Sequence, residues 1–264
     1  MNILDNIVEE KRARVNELKK ENDFAELKKT AKLLTEKGER KIFYDAVSSK
    51  EISFILEVKK ASPSKGLISK NFNHLKIAKE YEKAGASAIS VLTEEYFFLG
   101  KNEYLKEITN AVSIPVLRKD FIIDEYQIYE TKTISAAALL LIVSILSAKE
   151  LKSFLELAYE LKIDVVVEVH NPGEVETAIK AGAKIIGVNN RNLKTFDVNI
   201  ENSIYLRKLI PPEIIFISES GIENRTDIKR LEKNNINAVL IGESAMKAKD
   251  KITFLNELKG ENEN

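Results

Sequence analysis

Residues 81–90 read YEKAGASAIS, and residues 178–187 read AIKAGAKIIG. Each stretch begins as the last turn of an amphipathic helix. Each then carries a glycine, Gly85 or Gly182, where a helix ends left-handed, and passes within a few residues into an apolar run. A helix that stops on such a glycine and hands over to a strand is the corner of a βα unit. In LEKNNINAVL the same position is expected at Asn234 or Asn235, because asparagine tolerates the left-handed region best after glycine.

Working outward from these corners, eight short runs recur: SFILEV, SAISVL, IPVLRK, ALLLIV, DVVVEV, KIIGVN, EIIFIS and NAVLIG. They start at residues 53, 87, 114, 138, 164, 184, 213 and 237, which leaves room for a helix between successive runs. Strands apolar on both faces and alternating with helices predict a parallel sheet closed on itself, a (β/α)8 TIM barrel of the α/β class. An open doubly wound sheet is the alternative, but no G-x-G-x-x-G opens a helix here. Ile3, Leu4, Ile7, Val8, Val15 and Leu18 form a helical stripe instead. The expectation is one barrel domain over residues 1–264, with residues 1–50 as a helical extension packed on it and covering its mouth.

Lysine plus arginine and aspartate plus glutamate number 41 each, so the formal net charge is zero, which argues against nucleic acid or an anionic membrane as partner. With no cysteine there is no disulfide, thiolate metal site or cysteine nucleophile, in keeping with a cytoplasmic chain. The longest apolar run, AAALLLIVSIL (136–146), is too short to span a bilayer and reads as a buried strand.

In this fold, chemistry sits at the C-terminal ends of the strands. Glu57 and Lys59 end the first strand on one face, two residues apart. Lys119 ends the third, Glu168 the fifth, Asn189 and Arg191 the sixth, and Glu219 and Ser220 the seventh. The strand N-termini show nothing comparable. In SESGIEN and IGESAM a glycine stands at each of the last two strand-to-helix turns, where barrels of this kind bind phosphate. Ser220 and Glu223 fit a capping box. The residues alone leave three readings open: an enzyme acting on a phosphorylated small molecule, an aldolase-type lyase using Lys119 as a Schiff base, and a barrel that only binds a phosphorylated ligand.

The motifs ILEVKKASPSKG, SVLTEEYFFLG, PVLRKDFIIDEYQI, VVVEVH, IGVNNRNLKTF, ISESGI and LIGESAM, spread over residues 50–250, resemble the indole-3-glycerol-phosphate synthase family of tryptophan biosynthesis. The resemblance implies ring closure, decarboxylation and dehydration of 1-(2-carboxyphenylamino)-1-deoxyribulose 5-phosphate, with no metal and no cofactor. It implies Lys119 as the acid for closure and Glu168 as a later base or acid. Lys59, oriented by Glu57, is implied as a second acid, its companion lysine helping by depressing one pKa. Asn189 and Ser220 complete the catalytic set, and Ser62 and Arg191 hold the substrate's carboxylate and hydroxyls. Phe98, Phe121, Leu140, Leu193 and Leu240 match the slot for the aromatic ring, and Gly221, Gly242 and the backbone of Glu243 the phosphate turns. His170, read as lying on the strand face opposite Glu168, and His74 are expected to be structural. Where the family usually reads G-A-D-A, this chain has Ser135-Ala136-Ala137-Ala138, and SAM replaces S-L-M at Ala245. A monomer acting on a small phosphorylated molecule is expected, with association with other pathway enzymes left open.

Overall fold

The computed structural model describes residues 3–37, 42–69, 71–192 and 196–261. Eight parallel strands close a barrel: β1 Ser53–Val58, β2 Ala88–Leu92, β3 Val116–Lys119, β4 Ala138–Ile142, β5 Asp164–Val169, β6 Ile185–Asn189, β7 Ile215–Glu219 and β8 Ala238–Ile241. Neighbours follow chain order, and β8 closes onto β1 with Ser53 opposite Ala238. Strands start within two residues of the expected positions. The apolar run after residue 136 is divided, however: the strand stops at Ile142 and Val143–Ile145 form a 3₁₀ turn.

Alternation sorts the side chains. Ile55, Ala88, Leu117, Ala138, Leu140, Val166, Ile185, Ile217 and Leu240 form one buried cluster inside the barrel. Their neighbours Leu56, Ile89, Val116, Leu139, Val167, Ile186, Phe216 and Val239 join the larger cluster beneath the helices. Both faces are apolar because both are covered, as a parallel sheet requires.

The corners behave as their residues dictate. Gly85 and Gly182 have φ of 87° and 91°, and the asparagine that turns left-handed is Asn235, at φ 56°. Two further helix-to-strand corners use residues that carry a penalty there, Ser135 at 64° and Lys162 at 55°. Ala137, at the position of the family's aspartate, is buried in the interior cluster.

Three helices precede the barrel: α1 Ile3–Glu21, α2 Phe24–Lys37 and α3 Phe43–Val47. They grip both of its ends. At the N-terminal end, Phe43 and Val47 are fully buried in the interior cluster, each worth roughly 2–3 kcal/mol of burial. There the Tyr44 N–H donates to Asp164 Oδ2 at the start of β5 (3.0 Å). At the other end, α1 brings Ile3, Leu4 and Ile7 to the barrel mouth, and Lys11 pairs with Asp120 Oδ1 at 2.8 Å. The helices that follow are α4 His74–Lys83, α5 Asn102–Ala111, α6 Glu125–Thr133, α7 Ala148–Glu160, α8 Pro172–Ala181, α9 Glu201–Arg207, α10 Arg225–Lys233, α11 Glu243–Lys247 and α12 Lys251–Lys259. Among the described residues, no helix is long and apolar enough to cross a membrane.

Candidate active site

A cavity of about 530 Å³ opens at the C-terminal ends of the strands. Its floor is the top of the interior cluster, Leu140, Ile142 and Leu240. One wall is the tilted pair Phe98 and Phe121, with ring centroids 6.0 Å apart. Such a slot takes a flat apolar ring.

Above the floor, the inward alternation continues into polar residues. Glu57 is on the same face as Ile55, Lys119 as Leu117, Glu168 as Val166, and Glu219 as Ile217. The Glu57 Oε1 and Lys59 Nζ atoms are 2.6 Å apart. Lys119 Nζ lies between two carboxylates, 3.0 Å from Glu168 Oε2 and 2.9 Å from Glu219 Oε2. Both glutamate side chains are only 2% exposed, so neither is solvated in place of that contact.

Burial alone would lower the Lys119 ammonium, yet Glu168 and Glu219 outweigh it and hold its pKa well above the ordinary lysine range. Lys119 is therefore not a depressed member of a lysine pair, because two carboxylates govern its charge. Burial alone would raise Glu168, but Lys119 and His170 hold it below the usual carboxylate range. Glu219 goes the other way: burial, opposed by Lys119 and helped by the charges of Glu168 and Glu57, pushes it up to about 7. Two carboxyls sharing one cation thus have opposite tendencies.

Next to Lys119, Asp120 ties this corner to the extension. Its Oδ1 takes Lys11, and its Oδ2 accepts from Thr93 at 2.7 Å and Arg118 at 3.1 Å. Burial works against that charge, but Lys11 and Arg118 prevail and bring its pKa to about 2.

The side expected to bind phosphate has its own geometry. Ser220 and Gly221 are both left-handed, at φ 69° and 79°, so no helix begins at Ser220. The expected capping box lies further on, between Asn224 and Asp227 at the start of α10. Released from capping, the Ser220 hydroxyl donates to Asn189 Oδ1 at 3.0 Å. That oxygen also accepts the Arg191 N–H, which anchors the loop after β6. A Cβ on Gly242 would come within 2.5 Å of Glu57 Oε1 and 2.8 Å of Lys59 Nζ, so this turn passes directly over the charged pair. Glu243 carries three cations, Lys247 at 2.6 Å, Lys65 at 3.6 Å and Arg191 at 4.0 Å. One carboxylate among three cations leaves a positive balance beside two backbone turns.

Every sequence-derived candidate among the described residues lines this one cavity, including Ser62. Leu193 lies outside the described residues. Three contributors were not singled out beforehand. Glu219 stands in the sequence only as a strand tip, although strand parity gives it the same inward face as Lys119 and Glu168. Lys247 is the i+4 neighbour of Glu243 on α11, a spacing readable in the sequence, whereas Lys65 reaches Glu243 only because the barrel closes β8 onto β1. His170, expected on the strand face opposite Glu168, instead lies on the same face. Residues two apart share a strand face, and its Nε2 lies 3.4 Å from Glu168 Oε1. His74 stacks on Tyr104 and pairs with Glu107, away from the cavity. Among the described residues no group of three or more His, Asp or Glu side chains is arranged to hold a metal ion.

A family model described as indole-3-glycerol phosphate synthase matches residues 4–258. The chain is 55% identical over 257 residues to the indole-3-glycerol phosphate synthase of Endomicrobium trichonymphae, covering 97% of this chain and 99% of that one. It is 52% identical over 258 residues to the enzyme of the same description from Ruminiclostridium cellulolyticum, with 98% and 99% covered. Among solved structures it resembles 3-hexulose-6-phosphate synthase from Salmonella typhimurium, with a TM-score of 0.65, 16% identity, and 79% and 97% of the two chains covered. Thiamine phosphate pyrophosphorylase from Pyrococcus furiosus follows the same path with a TM-score of 0.58 and 15% identity. At such identities these two likenesses speak to the barrel alone.

Proposed function

The chain belongs to the indole-3-glycerol phosphate synthase family, and on that premise we propose that Lys119 is the acid of its ring-closing step, with Glu168 and Glu219 handling the later protons. The observation that carries this reading is the Lys119 ammonium held at 3.0 and 2.9 Å by two buried carboxylates over an apolar floor.

The substrate, 1-(2-carboxyphenylamino)-1-deoxyribulose 5-phosphate, has an apolar ring at one end and a dianion at the other. The ring enters the slot of Phe98, Phe121, Leu140 and Leu240. The phosphate meets the turns at Gly221, Gly242 and the Glu243 N–H, with Lys65, Arg191 and Lys247 supplying the charge. Ser62, Asn189 and Ser220 are left for the carboxylate and the sugar hydroxyls. Holding both ends brings the ring carbon that bears the carboxylate against the C2′ carbonyl, and proximity of this kind is a large part of such a barrier.

As the new carbon–carbon bond forms, negative charge moves onto the carbonyl oxygen, and Lys119 protonates it. Glu219, near 7, is protonated in about half the molecules at neutral pH. When it is, Lys119 faces one anion instead of two and is the stronger acid. Lys59, aligned by Glu57, is the second donor at the same mouth. Loss of carbon dioxide returns its bonding pair to the ring. The C2′ hydroxyl then takes a proton from Lys59 and leaves as water, and a carboxylate, Glu168, takes the ring proton whose loss restores aromaticity. A Schiff base at Lys119 is disfavoured, since an ammonium clamped by two carboxylates is a poor nucleophile. We infer a monomer in the cytoplasm: every side chain invoked comes from one chain, and the chain has no cysteine.

The test is Lys119→Ala, assayed by the fluorescence of indole-3-glycerol phosphate formed without added metal. Turnover should fall by about 10²–10⁴-fold while product still binds in a phosphate-dependent way. Normal turnover would remove Lys119 from the chemistry.

A further inference from the structure

Glu168 and Glu219 are nearly mirror partners around Lys119, each giving it one oxygen. They differ in what their second oxygen meets. Glu219 Oε1 is buried with no hydrogen-bond partner, pressed toward the backbone of Gly187. Glu168 Oε1 faces the His170 ring, with Nε2 at 3.4 Å, an ion-pair distance without hydrogen-bond geometry. The other ring nitrogen, Nδ1, lies 3.1 Å from Glu174 Oε2 on the first turn of α8.

Glu174 is itself fixed. Its Oε2 also accepts the His170 N–H at 2.8 Å, and its Oε1 accepts from Asn171 Nδ2 at 2.7 Å. The Asn202 side chain donates to the His170 carbonyl, joining α9 to the same corner. The ring is thus oriented from below by Glu174 and aimed at one carboxylate of the pair. Neither His170 nor Glu174 lines the substrate cavity.

We propose that His170 is a positioning residue: held by Glu174, it keeps Glu168 as the anionic partner of Lys119 and leaves the mobile proton to Glu219. The inference rests on the reading of Glu168 as the base. Two equivalent carboxyls beside one cation would share a proton between them, and a base that is half the time protonated loses half its duty. A second cation on one side breaks that symmetry. Burial works against a charged imidazole, but Glu168 and Glu174 outweigh it and raise His170 to about 10, which makes it a cation at neutral pH. The charged groups around the Glu168–His170 pair are Lys119 from β3, Glu219 from β7, Glu57 and Lys59 from the end of β1, and Glu174 from α8.

The experiment is the pH dependence of kcat for the parent, His170→Gln and Glu174→Gln. Without the imidazolium, Glu168 protonates more easily, so the acid limb of kcat should move up by about one pH unit in His170→Gln. The loss relative to the parent should be negligible at pH 7, grow as pH falls, and approach about tenfold only below the parent's own acid limb, with KM within about twofold. Glu174→Gln should move the limb the same way by less. The chain has two histidines, so ring NMR assigned by difference can follow His170 directly. It should stay charged at pH 8 in the parent and titrate lower in Glu174→Gln. An acid limb unmoved in both variants, or a His170 that titrates near 6.5 in the parent, would overturn the proposal. If His170→Gln does not fold, Glu174→Gln and the titration decide it. Failure of the underlying reading would look different, as undiminished turnover by Glu168→Gln.

Discussion

Gly187 has no side chain, yet it determines where Glu219 sits. A Cβ built on it would lie 2.3 Å from Glu219 Oε1 and 3.0 Å from Val166 Cγ1. Carbon and oxygen rest at roughly 3.3–3.5 Å, so Gly187→Ala would push the carboxylate back by about 1 Å. The retreat is away from β6, and the 2.9 Å contact between Glu219 and Lys119 cannot survive it unchanged. A displacement of that size at a reacting group costs on the order of 10²-fold in rate. Overpacking of a dense interior adds about 1–3 kcal/mol of destabilisation.

The assay is kcat for indole-3-glycerol phosphate formation, with unfolding in denaturant alongside. Gly187→Ala should lose about 10²-fold in kcat and remain folded. The diagnostic is the double variant. In a Glu219→Ala background there is no carboxylate to displace, so adding Gly187→Ala should cost less than about threefold more. Parent-like kcat in the single variant, or a full multiplication of the two losses in the double, would refute the argument that Gly187 acts through Glu219.

Glu219 also sets a price in stability. The folded chain holds its proton up to about pH 7, whereas an ordinary glutamate loses it near 4.5, so stability falls as pH rises through that window. Glu219→Gln should therefore be more stable than the parent by about 1–3 kcal/mol at pH 8 and nearly equal to it at pH 4, while turning over more slowly. Equal stability at both pH values would show that the site carries no such burden. Lys11→Met should cost about 2–3 kcal/mol at pH 7, because it strips one cation from buried Asp120. The Asp120 contribution is present above its ordinary value of 3.8 and lost as pH falls toward about 2, so the deficit in urea unfolding should shrink below pH 4. A deficit independent of pH would point to lost packing of α1 instead. Ser135→Gly should gain about 0.5–1 kcal/mol by relieving a left-handed serine, and a loss in the same denaturant assay would show that its side chain has a use.

The barrel was legible because its evidence is periodic. Each run repeats one pattern, and each helix-to-strand corner needs a residue that tolerates positive φ. Gly85, Gly182 and Asn235 follow that rule, while Ser135 and Lys162 break it where tertiary packing overrides local preference. The placement of Glu57, Lys119, Glu168 and Asn189 around one cavity followed from the same logic, since strand tips in a closed barrel have to converge. Partners across space were not legible. That Glu219 shares Lys119 depends on β3 and β7 facing each other through the barrel, and that Lys65 meets Glu243 depends on how the loop after β1 leans toward the one after β8. The Ser220 capping box failed for a related reason. Two successive left-handed residues, Ser220 and Gly221, carry the chain past the helix start that the motif suggested.

The charges at the mouth explain how these residues work as a set. Three carboxylates, Glu57, Glu168 and Glu219, face two ammonium groups, Lys59 and Lys119, all of them largely buried. An uncompensated negative charge there would be costly, and an anionic substrate would meet repulsion. Two features remove the excess without adding another lysine at the chemistry. Glu219 takes up a proton near neutral pH, and His170 contributes a positive charge from outside the cavity. On the proposed reading the substrate's own dianion goes to a separate cluster, where Lys65, Lys247 and Arg191 surround Glu243. Binding charge and reacting charge are thereby kept apart. Phosphate affinity can then come from cations that never touch the proton on Lys119, and the dyad around Lys119 is left free to change its protonation during turnover without releasing the substrate.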